Sequence, residues 1–178
     1  VEVFTARRAY EISAEFRARG VPVILGGIHV TLLPEEAAQH ADSIYTGDAE
    51  FLWAQVIADA QIEDLQPVYR AMGGVPQPGL LTRREIFSGK KYLPLSLMQF
   101  SRGCRFACEF CAVSAYFDQQ HNCRAIDEVV HEIQTQSRRH IFFVDDNLLA
   151  NHEAAKALFR ALIPLKIRWV SQASIDMT

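Results

Sequence analysis

Long hydrophobic runs are missing from these 178 residues. No stretch approaches the roughly 18 continuous apolar positions of a membrane span. An excess of one charge is missing too: 18 basic residues meet 21 acidic ones, a formal net charge of −3. No basic field therefore advertises a nucleic-acid partner. Nine glycines and seven prolines are too few and too irregular for collagen or a disordered tail. No charged leader followed by an apolar core opens the chain, so no signal peptide is visible. Neither a repeat nor a low-complexity tract is present. Cysteine is scarce and crowded: Cys104, Cys108, Cys111 and Cys123 are the only four, all within 20 positions. A disulfide framework would spread them and belong to a secreted context. A tight cluster in a leaderless chain reads as metal binding in a reducing compartment. The remainder, 49% hydrophobic and 22% charged, is the composition of a soluble globular protein. The length is enough for one good core or two small ones.

The pattern along the chain alternates strand and helix. Val1 to Phe4 reads as a short strand, and Thr5 is placed to cap a helix over Ala6 to Arg19 that Gly20 ends. Val21 to Leu25 is a buried strand by its continuous apolar run, broken by Gly26-Gly27. Pro34 opens a helix with Glu35 and Glu36 in its first turn. Ser43 to Thr46 is a strand, and Asp48 can cap a helix carrying Leu52, Val56 and Ile57. This spacing indicates an α/β domain with a parallel sheet over residues 1–60. That segment has four basic and nine acidic residues, a net charge of −5. Residues 61–94, punctuated by Gly and Pro, read as an interdomain linker. A second α/β unit over 95–178 then begins with a strand at Leu97 to Phe100. A cysteine loop follows. Next comes a helix with Ile126, Val129, Val130 and Ile133 on one face, and a strand from Ile141 to Val144. Asn151 caps a further helix, and a strand runs from Ile167 to Ser171. The chain starts without Met inside one expected strand and stops after another, so a fragment of a longer protein is expected.

The cysteine spacing, Cys104-x3-Cys108-x2-Cys111, supplies three soft thiolates on one loop. A four-iron cluster held by three of them would keep one iron open for another ligand. A structural zinc site would need a fourth ligand, here Cys123 or His121. A ferredoxin-like electron carrier is the third possibility. Residue types alone leave these open.

The run Cys104-Arg105-Phe106-Ala107-Cys108-Glu109-Phe110-Cys111 resembles the signature of the radical S-adenosylmethionine (radical SAM) enzymes, C-x3-C-x-aromatic-C. The resemblance implies that Cys104, Cys108 and Cys111 hold a [4Fe–4S] cluster. Its open iron would bind SAM and cleave it reductively to a 5′-deoxyadenosyl radical. It also implies that Phe110 packs near the adenine. Asp145, Asp146 and Asn147 stand at the end of the second strand, the chemically active face in β/α barrels. They take the place of the family's Gly-Gly-Glu and are candidates to bind SAM. Gln172 and Ser174, at the end of the third strand, are further candidates. Cys123 lies outside the signature and reads as a small, partly buried residue, and His121 as a surface loop histidine.

The segment GGIHVTLLPEEAAQHAD, followed by Gly47-Asp48-Ala49-Glu50, resembles the cobalamin-binding domain fused in front of many radical SAM enzymes. The resemblance implies that Gly26 and Gly27 line the channel for the cofactor's nucleotide tail, with His29 and Thr31 beside it. The axial motif Asp-x-His-x-x-Gly is absent, so His29 is not read as a cobalt ligand.

The resemblance therefore implies a partial Rossmann-like cobalamin-binding domain followed by the first half of a radical SAM partial (β/α) barrel. At about 30 residues per β/α unit, roughly 100 residues of barrel would lie outside the chain. The function implied is a cobalamin-dependent radical SAM enzyme that activates a substrate C–H bond, most often for methyl transfer. A non-methylating radical SAM enzyme with a vestigial front domain is one alternative, and a zinc-stabilised binding module another. The implied partners are a small-molecule or peptide substrate and an electron donor such as flavodoxin or ferredoxin. The implied setting is cytoplasmic.

Overall fold

A computed structural model describes residues 1–71, 74 and 76–175. It separates into two units. The first comprises Val1–Gly74 and Cys108–Asp118, and the second takes the remaining described residues.

In the first unit, α1 (Ala6–Arg17) leads to β1 (Ile24–Gly26), α2 (Ile28–Leu32), α3 (Pro34–Ala38), β2 (Ser43–Thr46), α4 (Trp53–Gln61) and β3 (Val68–Arg70). The three strands form a parallel sheet in chain order, with Leu25 opposite Ile44 and Ile44 opposite Val68. Parallel neighbours require a crossover, and the helices between the strands supply it. Leu25, Val30, Ala37, Ala41 and Ile44 make one buried cluster, and Tyr45, Val56 and Tyr69 another. All four residues of β2 are buried, as a strand covered on both faces requires.

Several expectations fail here, among them the caps: neither Thr5 nor Asp48 makes a side-chain hydrogen bond to the helix that follows it. Val1 to Phe4 is not a strand: Val3–Thr5 is a single 3₁₀ turn, and Phe4 is exposed. The Thr5 hydroxyl donates to the Glu2 carbonyl and accepts from the Glu2 N–H, and this local bonding replaces a sheet ladder. Conversely, β3 lies within the stretch read as a linker. It is only three residues long, too short for a period to register.

In the second unit, β4 (Ser96–Met98) is followed by β5 (Ser101–Gly103). After the first unit's α5 (Ala112–Phe117) come β6 (His121–Cys123), α6 (Ile126–Gln134), β7 (His140–Phe143), α7 (His152–Leu162) and β8 (Arg168–Ser171). β4, β7 and β8 form a parallel sheet in chain order, with Met98 opposite Phe143 and Phe143 opposite Ser171. β5 and β6 pair separately as an antiparallel ribbon. Met98, Phe100, Val129, Ile133, Ile141, Phe143, Leu148, Leu158 and Leu162 are the core. At about 1.5–3 kcal/mol for each large side chain, this burial is what holds α6 and α7 on the sheet. Asn151 caps α7 as expected, accepting the Ala154 N–H at 3.1 Å.

Candidate functional site

Parallel α/β units gather their chemistry beyond the C-terminal ends of the strands. In the second unit, the chain leaving β7 carries Asp145, Asp146 and Asn147 there, each with a different task. Asp145 is buried, and its carboxylate accepts the N–H of Phe100 at 3.1 Å, with the N–H and hydroxyl of Ser101 as further donors. Burial pushes its ionisation above the ordinary carboxylate range, while the Ser101 and Phe100 donors pull it back. Asp146 is exposed, but one carboxylate oxygen accepts the Gly103 N–H at 2.9 Å. It thereby fixes the residue before Cys104. Asn147 is buried, and its side chain donates to Cys104 Sγ at 3.7 Å and to Ser174 Oγ at 3.0 Å. Its Oδ1 accepts the N–H groups of Leu149 and Ser174, both at 3.2 Å. Gln172 is exposed, and its backbone carbonyl accepts the Leu148 N–H at 3.2 Å. The ends of β4, β7 and β8 are thus joined by side chains from the candidate set, Gln172 excepted.

All four cysteines are free thiols: Cys108 is exposed, and Cys104, Cys111 and Cys123 are half-buried. Cys104 belongs to the second unit; Cys108 and Cys111 belong to the first, where the Cys111 N–H closes a turn onto the Cys108 carbonyl at 3.0 Å. α5 begins immediately after Cys111 and packs on α2. Its Tyr116 hydroxyl donates to Asp48, whose other oxygen accepts the Gly74 N–H at 2.7 Å. Among the described residues, no group of three or more His, Cys, Asp or Glu side chains converges as a metal cage. The donor set itself is three free thiols, the soft ligands that iron–sulfur clusters take. Phe110 is 93% exposed. Cys123 packs against the second core, and burial pushes its thiol up. His121 is half-buried rather than a surface histidine, and burial holds its ring below the ordinary range.

The front candidates are placed differently. His29 is buried, with Nε2 3.1 Å from the Tyr10 hydroxyl and 3.2 Å from Glu36 Oε1. Its Nδ1 is a buried atom with no hydrogen-bond partner. The Thr31 hydroxyl donates to the Gly27 carbonyl and accepts the Gly47 N–H, each at 3.0 Å, tying the ends of β1 and β2. Gly27 has φ +104°, and a Cβ there would lie 2.5 Å from the Val1 nitrogen. At Gly26 a Cβ would meet Tyr45 at 3.4 Å. The bare faces of the glycine pair are therefore covered by this chain.

Residues missed in the sequence are Ser101 and Gly103, which receive the strand-end carboxylates, and Tyr116. The Ser101 and Gly103 signal was the short ribbon flanking the cysteines, which has no periodicity to reveal it.

No protein-family model matches the chain. It is 33% identical over 147 residues to bacteriochlorophyllide d C-8(2)-methyltransferase of Chlorobaculum tepidum, covering 77% of this chain and 32% of the relative. It is 27% identical over 182 residues to the C-12(1)-methyltransferase of the same organism, covering 96% of this chain and 40% of the relative. The hopanoid C-2 methylase of Rhodopseudomonas palustris is 25% identical, over 88% of this chain and 30% of the relative. The chain therefore spans 30–40% of the length of these relatives. In fold it is similar to the radical S-adenosylmethionine methyltransferase TsrM of Kitasatospora setae, solved with tryptophan substrate and a SAM analogue. The TM-score is 0.64 at 16% identity, over 91% of this chain and 37% of that one. No helix among the described residues is long and apolar enough to cross a membrane. The chain is thus similar in sequence to proteins named as methyltransferases, and in fold to a solved radical SAM methyltransferase.

Proposed function

We propose that the whole protein is a cytoplasmic radical SAM methyltransferase acting on a small-molecule or peptide substrate. The observation that carries this reading is the junction of strand end and cysteine run. Asp146 holds the backbone before Cys104, and Asn147 holds its sulfur. Cys104, Cys108 and Cys111 would hold a [4Fe–4S] cluster. When bound, that group supplies one electron, taken from a donor such as flavodoxin or ferredoxin, for reductive cleavage of SAM. Asp146, next to the cysteine run and exposed, would face the SAM ammonium, with Asn147 and Ser174 beside it. Asp145 acts through the backbone of Phe100 and Ser101 and sets the loop's starting point. Phe110 offers its exposed ring to the adenine, and Gln172 stands at the neighbouring strand end.

The domain reading follows: residues 1–60 as the end of a cobalamin domain, 61–94 as a linker that also contributes β3, and 95–178 as the start of a β/α barrel. The in-order parallel strands β4, β7 and β8 support the last. Cobalamin in the whole protein, with Gly26, Gly27, His29 and Thr31 near its tail, rests on the resemblance of the front segment to cobalamin-binding domains. Methyl transfer is favoured over cyclisation and over a zinc-stabilised module by the reactions for which the relatives are named.

The test is anaerobic reconstitution of the full-length protein with iron and sulfide, followed by electron paramagnetic resonance with and without SAM. The expected result is a reduced four-iron signal that SAM reshapes. Cys104→Ala, Cys108→Ala and Cys111→Ala should each remove it, and Cys123→Ala should keep it. Stoichiometric zinc with no iron signal would refute the reading.

A further inference from the structure

We propose that Asn147 is a positioning residue that tunes the cluster through a hydrogen bond to the sulfur of Cys104. This rests on the reading of Cys104 as a cluster ligand. The geometry of one side-chain amide carries it.

An amide has two donors on nitrogen and an acceptor oxygen, and its orientation follows from its neighbours. Around Asn147 the neighbours leave no choice. Oδ1 sits 3.2 Å from the backbone N–H of Leu149 and 3.2 Å from that of Ser174. Both are donors, so the flipped amide would press its own N–H groups against them. Nδ2 then faces Cys104 Sγ at 3.7 Å and Ser174 Oγ at 3.0 Å, a hydroxyl that also donates to Oδ1 at 3.4 Å. Two donors meet two acceptors. The side chain is 5% exposed, so water does not compete for them.

The same strand end fixes the rest of Cys104's surroundings. Asp146 holds the N–H of Gly103 at 2.9 Å, and Gly103, with φ +83°, turns the chain into the cysteine run. Backbone and sulfur of one ligand are therefore both referenced to β7, a core strand. The second-unit cysteine has a built partner, which none of the described contacts supplies to the sulfur of Cys108 or Cys111.

A hydrogen bond to a thiolate draws electron density from it and eases reduction of the attached cluster. For a SAM-cleaving enzyme the reduction step is the demanding one, so a donor at one sulfur would set how easily the electron is taken up. The residue's chemistry is thus distinct from a direct SAM contact, and the two make different predictions.

The experiment is a redox titration of the reconstituted full-length protein, monitored by electron paramagnetic resonance, for wild type, Asn147→Asp and Asn147→Ala. Asp keeps the Oδ1 acceptor for Leu149 and Ser174 but removes the donor, and Ala removes the whole amide. Both variants should retain wild-type iron and sulfide, because the three thiolates are intact. In the neutral alanine variant reduction should become less favourable by about tenfold, which is ~59 mV for a one-electron couple, and the added charge of the aspartate variant should carry it further. An unchanged midpoint potential in cluster-loaded variants overturns the inference, leaving Asn147 a loop residue. Loss of iron in both variants overturns it as well, since Asn147 would then build the site rather than tune it. A wild-type protein that assembles no four-iron cluster would instead sink the underlying reading of the cysteines.

Discussion

Replacing Glu132 by alanine should unfold the second unit at a markedly lower denaturant concentration. Glu132 lies on the buried face of α6, its side chain 6% exposed, between two guanidinium groups. One oxygen is 2.7 Å from Arg84 Nη2 and the other 2.8 Å from Arg124 Nη1. The arginines reach further: Arg84 donates to the Leu97 carbonyl at 2.7 Å and Arg124 to the Gln99 carbonyl at 2.9 Å. One carboxylate therefore ties α6, the 3₁₀ turn Arg84–Phe87 and the strand β4 together. Removing one member of a buried ion pair costs about 3–5 kcal/mol, because the partner charge stays behind. Here the low end applies, about 3 kcal/mol, since both arginines keep a carbonyl acceptor and Arg84 is 24% exposed. With a urea slope of about 1–3 kcal/mol per molar, the midpoint should fall by about 1 M or more. The assay is urea unfolding read by the fluorescence of Trp169, which stacks on Phe159 at 5.0 Å in the second unit. A Trp53→Phe background silences the first unit's tryptophan. Glu132→Gln keeps the volume and one acceptor and should lose less. A midpoint shift below about 0.3 M for the alanine variant would refute the triad as a structural tie.

Asn151→Ala removes the α7 cap and should lower stability by about 1 kcal/mol in the same assay. Gly47→Ala should destabilise the first unit by about 1–3 kcal/mol or more, read by Trp53 fluorescence. Its φ is +86°, and the new Cβ would sit 2.1 Å from the Ala71 carbonyl oxygen. Alkali should also unfold the first unit selectively. Burial, with the Glu36 carboxylate beside it, pushes the Tyr10 phenol up from 10.0 to about 12, and burial raises Tyr45 and Tyr69 as well. The folded state therefore favours the neutral phenols. That stability is complete below pH 10 and is lost as pH climbs toward 12, because the unfolded chain ionises first. Absorbance of phenolate near 295 nm should lag behind that of free tyrosine. Ionisation of all five tyrosines together near pH 10, with the fold intact, would contradict it.

Much of the architecture was legible because periodicity reports burial. Ser43 to Thr46 is observed as read, Asn151 caps α7, and Val129 and Ile133 lie on the buried face of α6. The misses share a cause: the deciding interaction is nonlocal or the element too short. β3, β5 and β6 have three residues each, and α2 has five, so no pattern accumulates. Glu132 shares the face of Val129, three positions away, but a charge on a buried face is intelligible only once Arg84 and Arg124 are seen beside it. The close approach of the Val1 backbone to Gly27 is likewise a nonlocal contact that the sequence pattern does not reveal.

The strand end at β7 is a case where the sequence held more information than its composition suggests. Burial alternates along this run: Ile141 and Phe143 are buried, Val144 and Asp146 exposed, Asp145 and Asn147 buried again. The period of two thus continues beyond the last ladder residue. Apolar residues fill the inward positions while the strand crosses the core, and polar ones fill them where it leaves. A buried carboxylate or amide is tolerated only with its hydrogen bonds made, so each inward polar residue must find fixed partners. Asp145 finds Phe100 and Ser101; Asn147 finds Leu149, Ser174 and Cys104. The outward Asp146 keeps one oxygen on Gly103 and remains exposed. A division of labour follows from register alone. The inward pair holds the cysteine run in place, and the outward carboxylate stays exposed. Shifting the register by one residue would exchange these roles. The order Asp-Asp-Asn after Phe143-Val144 is therefore itself a structural specification.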